Sequence, residues 1–235
     1  MSLNLNVIYS HNLSVNKITP DKKEILRYMG QKGDTSPEII RLIDNNIKTT
    51  LTKATPKGAF VIRNMILDKS HIKIGESIFN SENLSKNLMG CKKAIIFTLT
   101  LGIDADRAIQ SKKALSPLES LIASSVFTDI LEKYADIFTQ ELEEELSKNH
   151  EYLVPRFSPG YGDFSLENQP EFIKATDSVR RCGVSVTDSM MLIPSKSITG
   201  IIGISQTKRC NVQNKCDSCS KTDCNFRNFS EVNSK

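Results

Sequence analysis

The sequence predicts an α+β domain built on an antiparallel or mixed sheet. Three observations predict it. Strand-like segments occur both next to one another and interrupted by helices. Two of the helices open with serine followed by proline. Of the 235 residues, 39% are hydrophobic and 25% charged, ordinary for a globular chain able to bury a sizeable core.

Taken in order, residues 1–16 read as a polar arm able to add an edge strand. "TPDKKEILRYMG" reads as a helix with Thr19 as N-cap, Pro20 at its first position and Gly30 just past its end. In "SPEIIRLIDNNIKTTLTKA", Ser36 caps, Pro37 opens, and Ile39, Ile40, Leu42, Ile43 and Ile47 form a helical stripe. "GAFVIRNMILD" is β-branched and strand-like. A short helix follows, capped by Ser81 and closed by Gly90, and then a buried strand from Ala94 to Leu101 ended by Gly102. The longest helix spans roughly residues 116–147, with Ser116 as cap, Pro117 next and Glu119 completing a capping box. Its first half is small and apolar. Its second half, with Glu141, Glu143, Glu144 and Glu145, reads as a solvated face. "EFIKATDSVRRCG" is expected to be one helix ending at Gly183, followed by two strands joined through Pro194–Lys196. Met190 and Met191 are expected in the core.

Several function classes lose ground at once. No run of 18 apolar residues appears, and the first twenty residues lack a positive segment followed by an apolar one. Neither a membrane partner nor export is expected, and the expected compartment is the cytoplasm. The net charge of +4 comes from scattered lysines, there is no Trp, and only 6% of residues are aromatic, so nucleic acid is not expected as a partner. His11, His71 and His150 have no ligand-like spacing. Cys91 and Cys182 stand alone and read as packed small residues.

Two segments carry chemistry. The first is "RFSPGYGDF", residues 156–164. Pro159 fixes its own φ and pushes Ser158 toward an extended conformation, while Gly160 and Gly162 allow positive φ and close approach to a ligand. Arg156 offers a planar fork suited to a carboxylate, and Tyr161 an aromatic face and a hydroxyl. The residues alone also fit a tight turn beside an arginine that pairs with a local acid.

The wider context resembles the reactivation domain of cobalamin-dependent methionine synthase. The matching residues are Arg156, Pro159, Gly160 and Tyr161, then Gly183, Thr187, Asp188 and Ser189, then Pro194, Ser197, Thr199 and Gly200. Their order and spacing hold over about fifty residues, and the resemblance extends more loosely over roughly residues 20–207. It implies a C-shaped α+β domain, residues 1–207, with a twisted antiparallel sheet and a shallow groove for S-adenosylmethionine. Arg156 would clamp the ligand carboxylate, and Ser158, Gly160 and Tyr161 would line the groove. The implied role is reductive methylation of cob(II)alamin on a separate methionine synthase or related corrinoid methyltransferase, with flavodoxin or ferredoxin as electron donor. Where the family has an aromatic pair beside the ligand, this sequence has Ile202 and Gly203. The family's N-terminal acidic ligand residue has no counterpart in this reading.

The second segment is the tail, residues 208–235, where Cys210, Cys216, Cys219 and Cys224 follow a Cys-x5-Cys-x2-Cys-x4-Cys spacing. Four thiolates so close suit tetrahedral zinc or an iron–sulfur cluster, and the nearby Lys208, Arg209, Lys215 and Lys221 lower thiol pKa values. One-electron partner chemistry favours a [4Fe–4S] cluster over zinc. The alternative is a non-catalytic scaffold whose tail holds structural zinc.

Overall fold

The structure, a computed structural model, describes residues 3–31, 33–114 and 116–208. A seven-stranded antiparallel sheet lies at its centre, in the order β4(Ser77–Asn80), β3(His71–Ile74), β2(Lys57–Asp68), β5(Lys93–Thr100), β9(Ser197–Ser205), β6(Tyr152–Leu153), with β1(Ile8–Asn12) paired to β2. A two-stranded ribbon, β7(Ser185–Val186) and β8(Leu192–Ile193), stands apart. The α+β antiparallel architecture expected from the sequence is the one observed.

Both faces of the central sheet are covered, which is why β5 reads as a continuous apolar run. Ile95, Phe97 and Leu99 enter one core, and Ala94 and Ile96 the other. The first core is closed by α1(Lys22–Tyr28), α2(Pro37–Leu51), α4(Ile103–Lys113) and the long α5(Pro117–Ser147). Along α5, Ile122, Val126, Ile130, Tyr134, Phe138, Leu142 and Leu146 recur every four residues and are all buried. The second core gathers Phe79, Phe164 and Phe172 with ring centroids 5.4–6.1 Å apart, under α3(Glu82–Leu88) and α6(Gln169–Thr176). Cys91 and Cys182 are both buried.

The serine caps form as expected: Ser36, Ser81 and Ser116 accept the N–H groups of Ile39, Leu84 and Glu119. The first helix differs. Its N-cap is Asp21, whose side chain accepts the Lys23 N–H at 2.8 Å, rather than Thr19. The cause is tertiary, because the Asp21 N–H is itself taken by Asp129 Oδ2 of α5 at 2.9 Å. The single helix expected to end at Gly183 is two, α6 and α7(Ser178–Cys182), broken at Asp177, which adopts φ +50°. The β3–β4 hairpin and α4 are additions the sequence reading passed over, and Met191 is exposed. Glu141 does not stand fully in solvent: it accepts from His11 Nε2 at 2.9 Å, and His11 Nδ1 lies 2.9 Å from the Tyr134 hydroxyl, fastening β1 to α5.

Asp129 is 2% exposed, and burial pushes its carboxyl up to about 6 from an ordinary 3.8, against the opposing pull of the Asp21 N–H and Lys133. A folded pKa above the unfolded one favours the native state at low pH. That contribution is complete below about 4 and is lost as pH rises through about 6. Asp129→Asn keeps an acceptor for Asp21 and cannot ionise. It should therefore gain about 2–3 kcal/mol on wild type between pH 4 and pH 7. Denaturant midpoints across that range check it, and parallel pH profiles would remove Asp129 from the account.

Candidate functional site

The segment around Arg156 is built against β9. Leu153 and Tyr152 pair with its last residues, the Val154 N–H donates to Gly203, and Phe157 exchanges both backbone bonds with Ile201. There the ladder ends. Gly200, next on β9, lets the chain come close, since a Cβ on it would lie 2.6 Å from the Phe97 ring and 3.1 Å from Ser158 Oγ. Ser158 is buried over this gap.

The chain then makes two successive turns. The Tyr161 N–H donates to Ser158 O at 3.3 Å, with Pro159 and Gly160 between them. Gly160 has φ +95°, the left-handed third position of a type II turn. The Phe164 N–H donates to Tyr161 O at 3.0 Å around Gly162, φ +56°, and the Gly160 N–H closes the unit on Phe164 O at 2.7 Å. Phe164 is buried in the second core while Tyr161 is 57% exposed. Pro, Gly and Tyr thus form a closed double turn with the tyrosine at its outer corner.

Arg156 points away from this corner toward α5. Its Nη2 lies 2.9 Å from Asp136 Oδ1 and 3.2 Å from Glu132 Oε2, and its side chain is 10% exposed. Nη1 is buried and has no hydrogen-bond partner among the described residues. The guanidinium is therefore committed on one side to two acids and retains an unused donor. The acids belong to a row on α5, Ser124, Thr128, Glu132 and Asp136, each four residues on from the last. The upper end of that row receives a second cation. Lys196 Nζ donates to Ser124 Oγ at 3.0 Å and Thr128 Oγ1 at 2.9 Å, and burial lowers its pKa while Asp106 opposes the shift. Sequence reasoning missed Glu132, Asp136 and Lys196. The four-residue spacing of polar positions on an otherwise buried helix was the available signal.

The other residues of the resemblance lie on neighbouring elements. Gly183 ends α7 in the left-handed region, and Thr187 and Ser189 hydrogen-bond across the tip of the β7–β8 ribbon. Ser197 Oγ lies 2.6 Å from Pro194 O, and Thr199 donates to Gln169 at 2.7 Å. Ile202 is fully buried in the first core. A Cβ on Gly203 would meet Cys91 Sγ at 2.7 Å, Leu88 at 2.8 Å and Val154 at 2.9 Å. Neither position offers a side chain to a ligand. A depression of about 330 Å³ lined by Leu3, Leu5, Ile62, Lys93 and Asn149 shares no residue with the Arg156–Tyr161 segment.

Cys210, Cys216, Cys219 and Cys224 lie outside the described residues. Among the described residues no group of His, Cys, Asp or Glu is arranged to hold a metal ion, and no helix is long and apolar enough to cross a membrane.

An antiparallel sheet covered on both faces, with an arginine-led double turn at the end of a strand ladder, defines an α+β domain. Among the solved structures it resembles is the MetH reactivation domain bound to AdoHcy: TM-score 0.63, covering 89% of this chain and 82% of that one, at 12% identity. The chain has that fold. No family model matches the sequence, and no curated protein matches it.

Proposed function

We propose that this chain is an activation module that binds S-adenosylmethionine and supports reductive methylation of cob(II)alamin held by a methionine synthase or related corrinoid methyltransferase. The observation that carries the reading is the reactivation-type fold spanning 89% of the chain, its solved neighbour being bound to AdoHcy, the demethylated form of that ligand. The residues fit a zwitterionic amino-acid tail. Arg156, with its unused buried Nη1, receives the α-carboxylate. Glu132 and Asp136 beside it receive the α-ammonium. Ser158, Gly160 and Tyr161 form the wall against which the adenosyl portion rests.

The protein's own part is to bind and orient the methyl donor. Cobalamin, carried by the partner, supplies the methyl acceptor, which is restored to methylcobalamin by that methyl group and one electron from flavodoxin or ferredoxin. The cysteine tail, as a [4Fe–4S] cluster, would relay the electron; as zinc, it would serve docking. The working place of such a pair is the cytoplasm.

One experiment tests the reading: anaerobic calorimetry with S-adenosylmethionine, with iron and zinc measured on the same sample. Saturable binding at one site per chain is expected. Colourless, zinc-loaded protein that takes up no ligand would replace the activation role with that of a non-catalytic scaffold.

A further inference from the structure

We propose that Asp163 is the positioning residue of this site: it clasps the Ser158–Phe164 double turn to the start of α3 and so fixes the direction in which Tyr161 faces a ligand. The inference rests on the groove reading above.

One carboxylate gathers three donors from a segment some eighty residues earlier. Asp163 Oδ1 accepts from the Ser81 hydroxyl at 2.5 Å and the Asn83 N–H at 3.2 Å, and Oδ2 accepts from the Glu82 N–H at 2.6 Å. Ser81 acts as a relay, because its oxygen also accepts the Leu84 N–H at 3.0 Å. Two of the unpaired N–H groups at the start of α3 are thus satisfied from the loop rather than from the helix's own cap. Burial pushes the Asp163 carboxyl up, but the Ser81 hydroxyl and the Glu82 and Asn83 N–H groups outweigh it and hold it below the ordinary carboxylate range. It therefore stays ionised near neutral pH. The preceding residue adds contact of its own, since a Cβ on Gly162 would lie 2.4 Å from Asn83 Nδ2.

The double turn has three anchors: Ser158 against Gly200, Phe164 in the aromatic core, and Asp163 on α3. Two belong to buried packing. Asp163 is exposed, so it can be removed without opening a cavity. Tyr161, more than half exposed, lies with its ring 6.4 Å from that of Phe157 and stands on the backbone two residues before Asp163. Releasing the clasp lets that corner move, and a ligand must then pay to order it. Asp163 touches no ligand in this scheme and acts through Tyr161.

The test is a pair of double-mutant cycles on the full chain, with S-adenosylhomocysteine as the probe and calorimetry as the readout. Asp163→Ala should weaken binding roughly tenfold, the scale of ordering one or two residues. Asp163→Asn, which keeps acceptors for Ser81 and Asn83, should recover most of it. The Asp163→Ala effect should disappear in a Tyr161→Ala background and persist in an Arg156→Ala background. A purely structural role predicts a lowered Tm with the same change in Kd in every background, and that result overturns the proposal. So does an unchanged Kd in Asp163→Ala. Should that variant fail to fold, Asp163→Ser, which withdraws the carboxylate while leaving the Ser81 cap of α3 in place, carries the same cycles. Wild-type protein that binds no S-adenosylhomocysteine overturns the groove reading and this proposal together. Wild-type binding without Tyr161 coupling overturns this proposal alone.

Discussion

Arg156→Ala is expected to weaken S-adenosylmethionine binding by about 2–4 kcal/mol, or about thirtyfold to a thousandfold, the range for deleting a charged partner in a largely buried site. The fold should tolerate the change far better. The acids left behind, Glu132 and Asp136, are 38% and 67% exposed and keep water, so the stability loss should stay near about 1–2 kcal/mol, mostly from the lost packing of the arginine stem. Arg156→Lys should recover only part of the affinity, because one ammonium cannot serve two acids and a ligand with the geometry of the fork. Calorimetry on the three proteins, with chemical denaturation alongside, separates the two effects. Unchanged binding in Arg156→Ala would remove Arg156 from the site and return it to the role of a strut between β9's neighbour segment and α5.

The second large effect concerns the missing aromatic pair. Gly203→Tyr should destabilise the protein by about 3 kcal/mol or more, at the upper end of overpacking costs. There is no room to rearrange: the new Cβ alone would sit under 3.0 Å from Cys91 and Leu88 at the end of α3 and from Val154 on the other side, all in the second core. Thermal or denaturant unfolding checks it. A near-neutral Gly203→Tyr variant would mean that α3 and the Val154 segment can part from β9 and would reopen this strand as a ligand wall. Under the proposed function, contact with an adenosyl group therefore falls to the Ser158–Phe164 turn and the α5 row, not to β9 beyond Ile201.

What was legible in the sequence was whatever depended on near neighbours. The serine caps at positions 36, 81 and 116 were visible because cap and first-turn donor are three residues apart. The double turn announced itself through Pro159, Gly160 and Gly162. The β3–β4 hairpin was legible too, with Ile72 and Ile74 alternating with polar residues and Gly75 at the turn, but it was passed over as a short interval between stronger elements. Helix α4 buries only Ala105, so it offers no apolar stripe to read. The remaining errors are tertiary. Asp21 displaced Thr19 as the cap, with a partner 108 residues away on α5. The acids facing Arg156 lie 20 and 24 positions before it, on a helix whose acidic end drew attention elsewhere. Asp163 looked like an ordinary turn residue, because its three partners sit about eighty positions earlier.

The placement of Glu132 and Asp136 midway along α5 has a mechanical meaning. The helix is 31 residues long, about 46 Å at 1.5 Å per residue, and its adjoining residues Tyr134, Ala135 and Phe138 are wholly buried. The stretch of helix that carries the acids cannot shift without dragging Tyr134 and Phe138 out of the centre of the protein. Arg156 is tied to that shaft on one side and to β9 through its neighbours on the other. The proposed binding face therefore stands on a rigid mount, with Arg156 fixed between α5 and β9. On the activation reading proposed above, the motion that brings a bulky macrocycle up to a methyl group would then fall to whatever carries the macrocycle, not to this face.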